Sequence, residues 1–508
     1  MRFRLGNKAD VIITAGGQLL QQALTIVTGV LIARMLGAAA YGVVNILRNI
    51  YTALIILAPA GLDLALLKFV GREEDGSRNV EVLIGRLRLI VLAVNVILLG
   101  GGWLLLSGPL MTHVYRFAHF DVLLLITLAG VPIAADLAIM GAYYRGRHRP
   151  GVFAMMTLYV QPVARLTLVL LSLALLPNTT AVVLINLLQV AISGLIVTLH
   201  HSLVLSRGAR AEGSAVSAES SAQNWREAAG LLSESIWMAM NLFVYGMLRF
   251  VDILMLGVFA SAKAVGEYAA ISTVAQLVQV WPLAASQTLG PTIARRYHEG
   301  DMAGVRSALS GYIHMAAIVA GFVFGGVAAF GDRLDLVFGH SFQFDATIAF
   351  LMPLGYLLSA TLAPMGYALS MTGKHRTELA ILILGGVVLV GLCAVLTPRY
   401  GAVGASISVA LTFALINVVR FVVVARLLGF VPGKLRDLLP PLIAVACAFP
   451  CKGLLESLLG RDLIATIAAC MLYSLVYALI ALRFLINKSD RAALLGRLAG
   501  FVRRKGVA

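Results

Sequence analysis

The chain is 508 residues long, 60% apolar and only 13% charged, with a mean hydropathy of +0.92. A soluble chain of this size needs far more polar surface over its core, so that class is excluded. A net charge of +16 would suggest nucleic acid in a soluble protein. Here the basic residues fall loop by loop, so membrane topology accounts for them and no nucleic-acid partner is expected.

Apolar runs of about 20 residues, the length needed to cross ~30 Å of hydrocarbon, recur from end to end. They are too long and too evenly apolar for the alternating strands of an outer-membrane barrel. The expected fold is an all-α polytopic membrane protein of about fourteen transmembrane helices. The spans fall at 11–33, 42–67, 89–107, 121–143, 151–176, 181–205, 229–257, 264–290, 311–331, 345–371, 378–397, 402–425, 437–457 and 462–486. The first run follows Arg2, Arg4 and Lys8 but has full span length and no small-residue cleavage site after it, so a span is expected rather than a signal peptide. Placing both termini in the cytoplasm puts roughly 29 basic residues inside against roughly 7 outside, the expected inward bias.

The first span carries Thr14, Gln18, Gln21, Thr25 and Thr28 on one helix face, and the second carries Asn45, Arg48, Asn49 and Thr52. A polar, Ser- and Ala-rich stretch from Ser206 to Asn224 reads as a flexible linker between two six-span halves. The seventh span carries Glu234, Asn241, Tyr245, Arg249 and Asp252 on one face. The eighth carries Ser272, Thr273, Gln276 and Gln279.

At an offset of about 224, the second half repeats features of the first. Gly42 falls on Gly266, and Met140-Gly141-Ala142-Tyr143 with Gly146-Arg147-His148-Arg149 resembles Met365-Gly366-Tyr367-Ala368 with Gly373-Lys374-His375-Arg376. An even number of spans per half makes the repeat parallel. The expected organisation is an N-lobe over 1–206, a cytoplasmic linker over 207–228, a C-lobe over 229–428, two additional spans over 429–487 and a basic tail over 488–508.

In lipid, polar faces turn toward protein or a water-filled cavity, so the paired stripes predict one hydrophilic cavity between the halves. Four arginines lie well inside the expected spans: Arg48, Arg165, Arg249 and Arg420. Each costs on the order of 3 kcal/mol at mid-bilayer, so none is expected to face lipid unpaired. Arg249 and Asp252, three apart, could neutralise each other, and Arg420 lies near enough to the cytoplasmic face to snorkel. The candidate substrate-binding residues are Arg48, Arg249, Arg165, Asn45, Asn49, Gln21, Thr25, Tyr245, Ser272 and Gln276. Asp63, Asp252, Glu234 and Asp136 are candidates for coupling transport to H⁺ or Na⁺; no other cofactor is implied. The four cysteines lie in apolar runs without ligand partners, so neither metal nor disulfide is expected. There is no GxxxxGK[ST] loop and no HExxH or GxSxG motif, which favours a secondary transporter over an ATP motor or a known enzyme type.

The segment Ile32-Ala33-Arg34-Met35-Leu36-Gly37-Ala38-Ala39-Ala40-Tyr41-Gly42 resembles the A-R-x-L-G-x-x-x-Y-G signature after the first span of Wzx-type polysaccharide flippases. Phe259 to Tyr268 (FASAKAVGEY) resembles the matching motif of the second half, and Gly373-Lys374-His375-Arg376 the turn after the tenth span. The resemblance implies the multidrug/oligosaccharidyl-lipid/polysaccharide exporter superfamily, whose two six-helix lobes alternate between inward- and outward-open forms. It further implies a bacterial inner membrane and an undecaprenyl-pyrophosphate-linked oligosaccharide as substrate. Cavity arginines would hold the pyrophosphate, and membrane lipids and a polysaccharide polymerase or export machinery would be partners. Two departures matter. The first span has no acidic residue, where multidrug members of the superfamily often use one, and the arginine set does not reproduce the peptidoglycan lipid II flippase pattern. A cation-coupled drug or metabolite exporter of the same fold is the alternative.

The charge asymmetry sets a direct test of topology. A thiol introduced at position 215, inside the linker, should resist a membrane-impermeant reagent in intact cells and react once the membrane is opened.

Overall fold

The computed structural model describes residues 8–70, 78–109, 114–205 save 116 and 148, 240, and 243–486 save 432 and 434. Every regular element among them is helical. In order the main α-helices are α1 (Lys8–Leu57), α2 (Leu62–Val70), α3 (Arg78–Pro109), α4 (Phe120–Gly146), α5 (Pro150–Ala154), α6 (Val160–Leu175) and α7 (Thr179–His200). These are followed by α8 (Val251–Phe259), α9 (Ala262–Ala275), α10 (Val280–His298), α11 (Met302–Phe330), α12 (Ala346–Met371), α13 (His375–Leu428), α14 (Leu439–Leu459) and α15 (Leu463–Ile480). All-helical spanning structure follows from the solvent: in hydrocarbon each backbone N–H and C=O must be satisfied within its own segment.

Ten helices among the described residues are long and apolar enough to cross a membrane, making this a multi-pass membrane protein. Two of the ten are double. α1 has 50 residues and α13 has 54, or about 75–80 Å each at the helical rise, and they leave helical geometry at Gly37 and Gly401 respectively. Each therefore holds two of the expected spans. Much of the expected seventh span and the whole 207–228 linker lie outside the described residues. The expected eighth is helical throughout, as α9, a 3₁₀ turn over Gln276–Gln279, and α10.

The second span ends earlier than its hydropathy suggests. Pro59 cannot extend the hydrogen-bond ladder, and Ala60 and Gly61 adopt positive φ before α2 begins. Asn95 of α3 meets this break, its Nδ2 donating to Ala58 O at 2.9 Å. The fifth span is interrupted by a π turn over Met155–Tyr159, and Tyr159 donates to Ile13 O in α1 at 2.9 Å.

The chain forms two compact units, Met1–Ala269 with Cys393–Ala402, and the remainder. In the first, α2, α3, α4 and α7 pack around fully buried Met140, Tyr143 and Tyr144. Arg88 of α3 crosses to Asp136 of α4 with two hydrogen bonds, at 2.6 and 2.8 Å, and to Thr198 of α7 at 2.7 Å.

In the second unit α11 carries α14 and α15. Ser310 meets Gly433, His314 meets Asp437, Ala329 meets Lys452 and Arg333 meets Glu456, each pair 123 positions apart. A constant separation means that α11 and α14 run parallel and in register. α15 runs the other way, with Tyr477 donating to Ile318 O and Tyr473 to Phe322 O. Gly321 and Gly325 let α14 approach: a Cβ at either would press on Pro441 or Ala444.

Arg420 does not snorkel. It is 5% exposed and makes a two-point ion pair with Glu378 at the start of α13, over Gly366 of α12. Removing one partner of a buried pair leaves the other charge stranded, at about 3–5 kcal/mol. Arg420→Ala should therefore lower the thermal unfolding temperature in detergent sharply. Arg420→Met with Glu378→Leu should recover most of the loss. A double variant as unstable as the single would show that the pair is not the source.

Candidate functional site

The second half of α1 turns Leu47, Arg48, Tyr51 and Thr52 inward along one face. Opposite them stand Ile126, Thr127 and Gly130 of α4, Arg165 of α6, and Val183, Asn186, Leu187 and Gln189 of α7. Together they enclose a cavity of about 120 Å³ within the first compact unit. Gly130 keeps the wall low, since a Cβ there would meet the Tyr51 ring at 3.3 Å.

The chemistry is cationic. Arg165 is 9% exposed, and its Nε is buried with no hydrogen-bond partner. Arg48 lies close enough to act on it electrostatically. No carboxylate lines the cavity, and neither arginine forms an ion pair among the described residues. Two like charges held together away from water are costly unless an anion joins them. The guanidinium fork, with the amides of Asn186 and Gln189 around it, suits phosphate oxygens, whereas the Thr52 and Thr127 hydroxyls donate to the Arg48 and Leu123 carbonyls at 2.7 and 2.8 Å.

The other candidates are distributed differently. Asn45 is buried, but its Nδ2 is spent on Tyr41 O one turn back, at 2.8 Å. Asn49 keeps a buried Nδ2 without a partner. Gln21 and Thr25 are half-buried on the first half of α1, and the Thr25 carbonyl accepts from Thr28. Tyr245 and Arg249 are exposed and do not line the cavity. Ser272 and Gln276 bond to each other at 3.2 Å in the second unit. The structure thus brings Arg48 together with Arg165 inside one unit.

Among the carboxylates, Asp136 is bound by Arg88, and Asp63 sits half-buried in the first turn of α2. Glu234 lies outside the described residues. Asp252 is 1% exposed; its Oδ2 accepts from the Tyr268 hydroxyl at 2.7 Å, while Oδ1 is buried without a hydrogen bond. Its partner is therefore a tyrosine sixteen residues on, rather than the exposed Arg249.

Sequence reasoning passed over Thr127, Asn186 and Gln189. The signal was present: Asn186 and Gln189 are three apart in the otherwise apolar VVLINLLQV, one helical face of the sixth span.

Comparison with known proteins agrees with this architecture. Residues 8–297, more than half the chain, match the polysaccharide biosynthesis protein family. A probable low-salt glycan biosynthesis flippase, Agl15 of Haloferax volcanii, is 21% identical over 170 residues, which span 33% of this chain and 36% of that protein. Among solved structures, the lipid II flippase MurJ in an inward closed conformation superposes with a TM-score of 0.70 at 11% identity, over 94% of this chain and all of that one. An inward-facing multidrug resistance transporter of the MATE family, MOP superfamily, superposes with a TM-score of 0.60 at 15% identity, over 82% of this chain and 98% of that one. At these identities the structures speak for the fold, which is that of the MOP transporters. With its all-helical spans and the match over residues 8–297, the chain belongs to the polysaccharide biosynthesis protein family.

Proposed function

We propose that the chain is a secondary transporter that flips an undecaprenyl-pyrophosphate-linked oligosaccharide across the bacterial inner membrane by alternating access, for surface polysaccharide biosynthesis. The observation that carries this reading is the cavity in which Arg48 and Arg165 meet without a carboxylate. A drug exporter for cations would need the opposite sign there, so an anionic headgroup is the better fit. At about 120 Å³ the cavity takes phosphate rather than a chain of sugars. The polyprenyl tail stays in lipid, and the glycan occupies whatever wider space opens during transport. The family membership and the glycan flippase among the relatives support the substrate class.

For coupling, Asp252 is the strongest of the acidic candidates. Asp136 is already neutralised by Arg88, whereas the Asp252 carboxylate has one oxygen without a hydrogen bond, where H⁺ or Na⁺ can enter.

If the guanidinium groups hold a pyrophosphate, each supplies charge-assisted hydrogen bonds of about 1.5–3 kcal/mol, or roughly 10- to 150-fold in affinity. Arg48→Ala and Arg165→Ala should each cripple glycan export and accumulate lipid-linked sugar on the cytoplasmic leaflet, with membrane abundance near normal. Lysine at either position should restore export only in part, because it keeps charge and loses the fork. Normal export in the Arg48→Ala/Arg165→Ala double variant would end the proposal.

A further inference from the structure

The cationic cavity has a neutral side whose chemistry an anion leaves unused. Asn186 and Gln189 lie three residues apart on one face of α7, and both line the cavity. Each is half-buried, and neither carboxamide makes a hydrogen bond among the described residues. Tyr51 of α1 is half-buried across from Leu187, with the place of the absent Gly130 Cβ between them, 3.3 Å from the ring and 3.5 Å from the Leu187 methyl. The Tyr51 hydroxyl also makes no hydrogen bond among the described residues.

Counting donors and acceptors separates two parts of a ligand. A phosphate ester at neutral pH accepts hydrogen bonds, and the guanidiniums of Arg48 and Arg165, which only donate, meet that need. A carboxamide, whichever way its amide is turned, carries an acceptor oxygen beside its two donors. The Thr52 and Thr127 hydroxyls spend their protons on the Arg48 and Leu123 carbonyls, so they present lone pairs. Acceptor oxygens of Thr52, Thr127, Asn186 and Gln189 therefore line the cavity beside the two cations. An anion satisfies none of these, and an acceptor desolvated without a partner costs about 1–3 kcal/mol. The ligand has to bring donors as well as negative charge.

In a glycosyl pyrophosphate the sugar is joined to phosphorus through its anomeric carbon. The substituent on the next ring carbon, C2, then lies beside the phosphate whatever the rest of the glycan is. A hydroxyl or acetamido group there supplies an O–H or N–H donor. The Tyr51 ring adds an apolar face for the C–H groups of the sugar. A cavity of about 120 Å³ has room for that edge of one sugar and no more.

We propose that Asn186 and Gln189 determine specificity for the first sugar, accepting hydrogen bonds from a hydroxyl or acetamido group at its C2 while Arg48 and Arg165 hold the pyrophosphate. The inference rests on the reading of the cavity as a pyrophosphate site. Selection acts on the sugar next to the lipid, and glycans that differ only farther out are alike to this contact.

The test is binding to the purified full-length protein in lipid nanodiscs, with a short polyprenyl pyrophosphate in three forms: sugar-free, glucosylated and 2-deoxyglucosylated. The native protein should bind the glucosylated form about tenfold more tightly than the 2-deoxyglucosylated one. In Asn186→Ala/Gln189→Ala that ratio should fall to about one. Neither side chain is bonded within the chain, so alanine strands no partner and the thermal unfolding temperature should stay near native. Gln189→Leu, close in volume to the native residue, should lower the ratio in part. Arg165→Lys should weaken both sugar-bearing forms alike and leave the ratio intact, because it acts on the phosphate. A ratio near one in the native protein, or a ratio that survives in the double variant, would overturn the proposal. If the sugar-free form fails to bind while the ratio holds, the pyrophosphate reading falls and the sugar contact stands. No binding of any form would overturn both.

Discussion

Within hydrocarbon a charged side chain has no water to turn to, and each buried charge must find a partner inside the protein or pay for its absence. That requirement sorts the ionic groups of this structure. Arg88 holds Asp136, Arg420 holds Glu378, Lys452 holds Asp332, and Arg333 holds Glu456. His314 is tied to Asp437 through one ring nitrogen and to the Leu485 carbonyl through the other. These pairs join segments distant in sequence and account for their charges by doing so. Arg48 and Arg165 stand apart, because they face one another across a cavity without an acid in its lining. A pair of like charges is poor architecture and good recognition, provided that the missing counter-charge arrives with the substrate.

Much of the fold was readable because the membrane limits what a sequence can do. The all-helical class, most of the spans and the repeat follow from hydropathy and spacing. The signature residues also have physical explanations: Gly37 is where α1 breaks between two spans, Tyr41 is buried, and Gly42 and Gly266 let α1 and α9 meet backbone to backbone. Polar stripes on single helices turn Arg48 toward protein. They could not tell which helix it faces, because that depends on packing between segments more than a hundred residues apart. Arg165 joined it from the fifth span, whereas Arg249, on the repeat-related stripe, did not line the cavity. For the same reason Asp136 looked available until Arg88 was seen to reach it from the neighbouring helix. Arg420 looked able to reach water until Glu378 was found beside it.

Interruptions of the helices carry information that hydropathy averages away. The break after Leu57 exposes backbone groups inside an apolar region, and Asn95 reaches across from α3 to take up the Ala58 carbonyl. The π turn before α6 adds an extra residue to the turn shortly before Arg165. A single-sequence reading sees Asn95 as one polar residue in an apolar run and Met155–Tyr159 as ordinary helix. In both cases the irregularity lies close to, or on, a helix that lines the cationic cavity.

The seam between α11 and the last two helices has an evolutionary corollary. Gly321 and Gly325 leave a shallow track along α11 whose width is set by the Pro441 and Ala444 backbones seated in it. A relative that ended after twelve spans would present the same track to acyl chains, which fill grooves poorly, and larger aliphatic residues at those two positions would then be favoured. The pair of glycines is thus a local record of the later helices. Read in any homologous ninth span, it would tell whether that protein keeps its final hairpin before the hairpin itself is found.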